Sequence, residues 1–116
     1  MKTKAPLAAT CAALFLSGCM GNGELVRPGK PAGMLNLVNG SDSTLTVVTI
    51  SECSAASHGF SRLETDETIR PGASRRWAVS EGCYDVQAGF PTSNGHSSSD
   101  SRIQIGAERI YNLTVN

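Results

Sequence analysis

The strongest constraint on the fold is a period of two in the apolar residues of several short segments. In the segment 75–80, Trp77 and Val79 alternate with Arg76 and Ala78. This spacing places successive side chains on opposite faces of a β-strand. No segment of the chain has a sustained apolar stripe at helical spacing. The pattern therefore predicts an all-β protein.

Turn-forming residues separate the predicted strands from one another. The cluster 39–42 predicts a hairpin that joins the first two strands, and 106–108 predicts another that joins the last two. The serine-rich stretch 91–101 is interpreted either as a long hairpin tip or as a mobile loop. Six or seven short strands with frequent turns are typical of a small antiparallel β-sandwich. The predicted strands are 34–38, 44–50, 63–69, 75–80, 83–90, 102–105 and 110–115.

The N-terminal segment has the parts of a bacterial export signal. Lys2 and Lys4 precede an apolar run over 7–16, which is far shorter than the roughly 20 residues that span a bilayer. The small residues Ser17 and Gly18 then precede Cys19.

Together, Leu16-Ser17-Gly18-Cys19 resembles the lipobox of bacterial lipoproteins. The resemblance implies cleavage before Cys19, lipid on its sulfur, acylation of the new amino group, and anchoring in a lipid bilayer. The alternative is that Cys19 is the last residue of a plain signal peptide. Met20 stands where an aspartate often retains such proteins in the inner membrane, so the resemblance favours the periplasmic face of the outer membrane.

The lipobox divides the chain into three predicted parts. These are a signal peptide over 1–18, a lipidated N-terminus and tether over 19–33, and a β-domain over 34–116. Glycine and proline are frequent in the tether, which makes it flexible and extended. Loss of Lys2 and Lys4 leaves two more acidic than basic residues, without a block of like charge. Binding of nucleic acid through a basic face is therefore not expected.

Two cysteines remain available for a covalent bond within the domain. Cys11 is removed with the signal and Cys19 carries lipid, so export to an oxidising compartment predicts a disulfide between Cys53 and Cys83. Closing this loop of about 30 residues contributes roughly 3.5 kcal/mol in the chain-entropy account. The competing interpretation is a metal site in which His58 and His96 join the cysteines, but no close pair has zinc-finger spacing.

A second resemblance covers about half of the predicted domain. The turn Ile69-Arg70-Pro71-Gly72 followed by the strand Gly82-Cys83-Tyr84-Asp85-Val86 is similar to small exported bacterial β-sandwich domains. Those domains carry an I-x-P-G turn before a C-Y-D or Y-D strand. The resemblance implies a fold and no particular activity.

Residues that could carry function are few. No Ser-His-acid arrangement with a nucleophile elbow is evident, so we expect neither an enzyme nor a cofactor. Asp85 needs hydrogen-bond donors, for which Arg76 or backbone amides are candidates. The candidate binding surface comprises Arg75, Arg76, Trp77, Asn94 and His96.

Three functions remain open. The first is an outer-membrane-anchored accessory module that binds another envelope protein. The second is an inhibitor or immunity-type lipoprotein that binds a cell-wall hydrolase, with 91–101 as the inserting element. The third is a carrier of a ligand or a metal.

Overall fold

A computed structural model describes residues 24–116 of the chain, which form six β-strands in two three-stranded sheets. The signal peptide predicted over 1–18 and the lipid site predicted at Cys19 lie outside the described residues. The strands are β1 (Ala32–Asn39), β2 (Val47–Glu52), β3 (Ser74–Ser80), β4 (Gly82–Thr92), β5 (Gly95–Ile105) and β6 (Ile110–Val115).

Each sheet contains strands that are distant in the sequence. Sheet I has the order β3-β1-β6, and sheet II has the order β2-β4-β5. The all-β sandwich predicted from the sequence is confirmed. Three of the four strand pairs are antiparallel, but β1 and β6 pair in parallel, which a wholly antiparallel sandwich would not contain.

The core lies between the two sheets because each strand turns its apolar face inward. Alternate residues of β1 are buried, including Leu35 and Leu37. On β3, Trp77 and Val79 share the buried face, as the alternation predicted that they share a face. Sheet II contributes Tyr84, Val86 and Ala88 in the same alternation. The fully buried Asn39 is hydrogen-bonded, since its amide donates to the carbonyl oxygens of Ser43 (2.7 Å) and Ile69 (2.8 Å).

The two hairpins predicted at 39–42 and at 106–108 are both wrong. β1 and β2 belong to different sheets, so the 39–42 cluster carries the chain across the sandwich and does not connect neighbouring strands. The turn after β5 does the same, because β6 pairs with β1. In both places the two connected strands bury their apolar faces against the same core from opposite sides. The residues of a turn do not show whether the strands on either side of it pair with each other or lie in different sheets.

The predicted strand 63–69 is also wrong. Only Ile69 pairs, in an isolated bridge with Leu45. The preceding segment covers the outer edge of β2 instead, because the Val48 amide donates to Ser61 Oγ (3.1 Å) and the Arg62 amide donates to the Val48 carbonyl (2.6 Å). This loop therefore protects one edge of sheet II.

The described part of the predicted tether is bonded to the domain. The Ser80 amide donates to the carbonyl oxygen of Leu25 (2.7 Å), and the Arg27 amide donates to Ser80 Oγ (2.8 Å). Arg27 also forms an ion pair with Glu52 at 2.6 Å. β1 begins at Ala32, two residues before the predicted start of the domain. Residues 25–27 of the predicted tether are therefore held against the domain.

Candidate functional site

The most prominent surface feature is the far end of the β4–β5 hairpin. The ladder runs from Gly82 opposite Ile105 to Thr92 opposite Gly95, so the stretch interpreted as a hairpin tip or a loop is a hairpin. Every residue from 91 to 98 is exposed, on both faces of the ladder. We call residues 91–98 the hairpin arm. It projects beyond the core and is held by its own ladder.

The turn of the arm consists of two residues between the paired Thr92 and Gly95. Gly95 has a φ of 133°, a conformation that L side chains rarely adopt. Asn94 lies in the turn itself, and its backbone amide donates to Thr92 Oγ1 at 3.3 Å. His96 follows on β5 opposite Pro91. The predicted residues Asn94 and His96 thus lie together at the exposed end of the arm.

The arm is polar but carries no formal charge at neutral pH. No Asp, Glu, Lys or Arg occurs from Val86 to Ser99, and serine is the commonest residue of the arm. Phe90, at its base, is partly buried against the core. Such a surface has little apolar area to bury, so it makes contact chiefly through side-chain and backbone hydrogen bonds.

A glycine sets the geometry where the arm leaves the core. A Cβ atom added to Gly89 would lie 2.8 Å from the carbonyl oxygen of Ser97 and 3.2 Å from the Cβ of Ser98. Because the closer of these atoms is backbone, a larger residue at this position must displace β5. Gly89 therefore fixes how β4 and β5 approach each other at the base of the arm.

An ion pair lies on the outer face of sheet II, below the arm. Arg102 donates from Nε to Asp85 Oδ1 (2.8 Å) and from NH2 to Asp85 Oδ2 (3.0 Å). Asp85 therefore finds its donors on Arg102, and not on the Arg76 suggested by the sequence. Hydrogen bonding to Arg102 lowers the pKa of Asp85, and the nearby His58 lowers it to a lesser extent. A shallow cleft of about 370 Å³ adjoins this pair and also contacts Asp100.

The other predicted surface, on β3, is largely internal. The Trp77 side chain belongs to the core, and the residue is only 8% exposed. The Arg75 guanidinium lies 4.6 Å from the Trp77 ring centroid and donates from Nε to Glu67 Oε2 at 2.7 Å. This hydrogen bond holds the pKa of Glu67 below its ordinary value. Arg75 and Trp77 therefore connect the 64–69 loop to sheet I, and Arg76 is the exposed member of this set.

The predicted disulfide between Cys53 and Cys83 is confirmed. It joins the chain just after β2 to the start of β4, with the two Cα atoms 5.4 Å apart. Since both sulfurs are used in this bond, neither is available for the alternative metal site. Within residues 24–116, no three His, Cys, Asp or Glu side chains are grouped so that they could hold a metal ion.

A second cleft, of about 390 Å³, opens beside the disulfide loop. Its walls include Leu25, His58, Arg62 and Tyr84. Arg62 donates from NH2 to the carbonyl oxygen of Ile50 (2.8 Å), and partial burial lowers its pKa. The arginine therefore helps to fix the loop against β2.

No known protein family, curated protein or solved structure matches this chain. In the part of the chain that the structure describes, no helix is long and apolar enough to cross a membrane.

Proposed function

We propose that the protein is a lipid-anchored binding module of the bacterial cell envelope that contacts another envelope protein through the hairpin arm. The observation that carries the proposal is the exposure of residues 91–98 on both faces of a regular ladder. Binding residues are commonly presented on projecting segments that a rigid scaffold positions. Here the scaffold is the disulfide-linked sandwich.

The arm is suited to contact a protein through backbone and hydroxyl groups. It offers small side chains and the amide of Asn94, with an imidazole from His96, and it lacks charges that would select a strongly acidic or basic partner. Ordered β-structure lowers the entropic cost of binding, since the arm's backbone is already fixed.

The proposed lipid anchor would limit where the arm can reach. If Cys19 is acylated, the six peptide units that join Cys19 to Leu25 span at most about 21 Å when fully extended. The carbonyl oxygen of Leu25 already accepts a hydrogen bond from the Ser80 backbone amide. The domain would then stay close to the membrane surface, and its partner would lie in or near the same membrane.

The proposal is tested by site-specific photocrosslinking in intact bacteria that express the full chain. A photoreactive residue in place of Ser93, in the turn of the arm, should yield an adduct with one envelope protein. The matched control places it at Asp42, an exposed turn residue outside the arm. Absence of any adduct from position 93, or the same adducts from both positions, would rule out the arm as the binding site.

The second candidate function is inhibition of a cell-wall hydrolase. It is favoured by the shape of the arm, because a ribbon only two strands wide can enter a substrate cleft that a whole domain cannot. The test is hydrolysis of peptidoglycan by a lysozyme-type enzyme with and without the protein. Inhibition that is lost on replacing Ser93-Asn94 by two alanines would support this function, and unchanged hydrolysis would exclude it for that enzyme.

A further inference from the structure

Sheet II ends in an open strand edge. β5 is the outermost strand of the order β2-β4-β5, and among the described residues no strand lies on its other side. The alternation of an antiparallel ladder directs every second backbone amide and carbonyl away from β4. Counted from the pair Thr92–Gly95 at the turn, the residues with outward-pointing backbone groups are His96, Ser98, Asp100, Arg102 and Gln104.

The same positions also carry the charges of this strand. Arg102 lies on the outer face with Asp85, whereas Ile103 and Ile105 point into the core. Asp100 lies two residues from Arg102 and so shares its face. Within residues 24–116 its carboxylate has no hydrogen-bond or ionic partner, and the side chain of Arg102 remains 65% exposed.

We propose that β5 pairs with β5 of a second copy of this chain, antiparallel and about a two-fold axis at Ser101. This register places Asp100 opposite Arg102 of the partner subunit, and Arg102 opposite Asp100 of the partner subunit. Ser98 then faces Gln104 of the partner subunit. The two sheets II become one continuous six-stranded sheet, joined by the outward backbone groups.

The charges select this register over its neighbours. A two-fold axis at Asp100 would place that carboxylate opposite its own copy, and an axis at Arg102 would oppose two guanidinium groups. Like charges directly opposite each other across a strand pair are destabilising. In the register centred on Ser101, Arg102 keeps its two bonds to Asp85 and uses its remaining donors on Asp100 of the partner subunit.

A second observation at the same side of the sandwich agrees with this proposal. β5 contacts β6 across the core, so the outer edge of β6 lies on the same flank. Tyr111 and Leu113 of β6 pack against the core but are only partly buried. A second copy placed against this flank would cover apolar surface that the single chain leaves open.

The test is disulfide trapping in the full chain, expressed in the bacterial envelope and oxidised in intact cells. In the proposed register the two Ser101 residues form a pair that is not hydrogen-bonded, with Cα atoms about 4.5 Å apart, which suits a disulfide. Ser101→Cys should therefore yield a dimer of twice the monomer mass on a non-reducing gel. Ser99→Cys is the matched control, because its two copies would lie roughly 14 Å apart.

Charge reversal tests the register itself. Adding Asp100→Lys to the Ser101→Cys chain replaces two attractive pairs by two repulsive ones, and the trapped dimer should decrease by about tenfold. Asp42→Lys makes the same change of charge away from the proposed β5–β5 interface and should leave the dimer unchanged. The chain without the added cysteine gives the background.

Three results would overturn the proposal. One is the absence of a dimer from Ser101→Cys, and another is equal trapping from Ser99→Cys and Ser101→Cys. The third is an adduct of Ser101→Cys with a different protein, which would mean that a foreign strand occupies this edge. The proposal does not depend on the turn of the arm, because the proposed β5–β5 interface at 98–104 includes only Ser98 of the arm and the turn at Ser93-Asn94 stays free.

Discussion

The root and the arm of the β4–β5 hairpin share one ladder but differ in what surrounds them. In the root, which comprises residues 82–90 and 99–105, Tyr84, Val86 and Ile103 are at most 3% exposed and pack against sheet I. In the arm, every residue from 91 to 98 is exposed. The backbone geometry is alike in root and arm, so the difference arises from burial. The root should determine stability, and the arm is free to determine binding.

The largest effect on this comparison is expected from the root. Tyr84→Ala removes a ring that is 1% exposed and should lower the free energy of unfolding by about 3–5 kcal/mol, as large-to-small changes of buried aromatic residues do. Urea unfolding measures the change. Tyr84→Phe is the matched control and should cost only about 1 kcal/mol, through loss of the 2.6 Å hydrogen bond to the Ser80 carbonyl. Equal losses from both variants would show that the hydroxyl, and not the ring, holds the root.

The next effect comes from the covalent bond at the same end of β4. Replacing both Cys53 and Cys83 by serine should lower the free energy of unfolding by about 3.5 kcal/mol. The disulfide joins residues 30 apart in the sequence, and without it the unfolded chain gains conformational entropy. Thermal unfolding with and without reductant is the measurement. A wild-type protein whose melting temperature does not fall on reduction would contradict this account of the root.

A smaller effect is expected at the Asp85–Arg102 ion pair on the outer face of the root. The bonds from Arg102 hold the pKa of Asp85 below its ordinary value of 3.8. A carboxyl with a lowered folded-state pKa stabilises the protein fully above the unfolded pKa and loses that contribution as the pH falls through the folded value. The wild type should therefore be more stable than Asp85→Asn at pH 7, and the two should converge in acid. Urea midpoints measured at pH 7 and at successively lower pH test this, and a difference between the wild type and Asp85→Asn that does not shrink as the pH falls below 3.8 would refute it.

The smallest effect on stability is expected in the arm. Asn94→Ala and His96→Ala change exposed side chains and should alter the free energy of unfolding by less than about 0.5 kcal/mol. The same variants should weaken the adduct formed by the photoreactive residue at position 93. If these variants destabilise the protein as much as Tyr84→Phe does and leave binding unchanged, the arm contributes to stability and not to binding, contrary to this account.

Local patterns predicted the strands that bury one face. The alternation at 75–80 and 83–90 corresponds to β3 and most of β4, and the cysteine count gave the disulfide between Cys53 and Cys83. The segment 63–69 was misassigned as a strand because its apolar ends, Leu63 and Ile69, serve as anchors of a loop. Burial of two positions does not require the residues between them to form a strand.

The candidate site was predicted only in part. Asn94 and His96 could be assigned to an exposed stretch because the surrounding residues are small and polar. The serine run 97–99 has weak β-propensity, so its place in a strand depends on pairing with β4. The partner of Asp85 was missed because Arg102 lies 17 residues away, opposite it only in the register of the hairpin.

The sequence by itself determined that the chain forms strands, which faces of those strands are apolar, and which two cysteines are joined. These properties depend on the period of side chains along one strand and on chemistry within a short segment. Only the tertiary structure decided that β1 lies between β3 and β6, that the β1–β2 and β5–β6 connections cross between sheets, and that the arm extends beyond the core. Strand partners are chosen by how all the apolar faces close over one core at once, and no single segment contains that information.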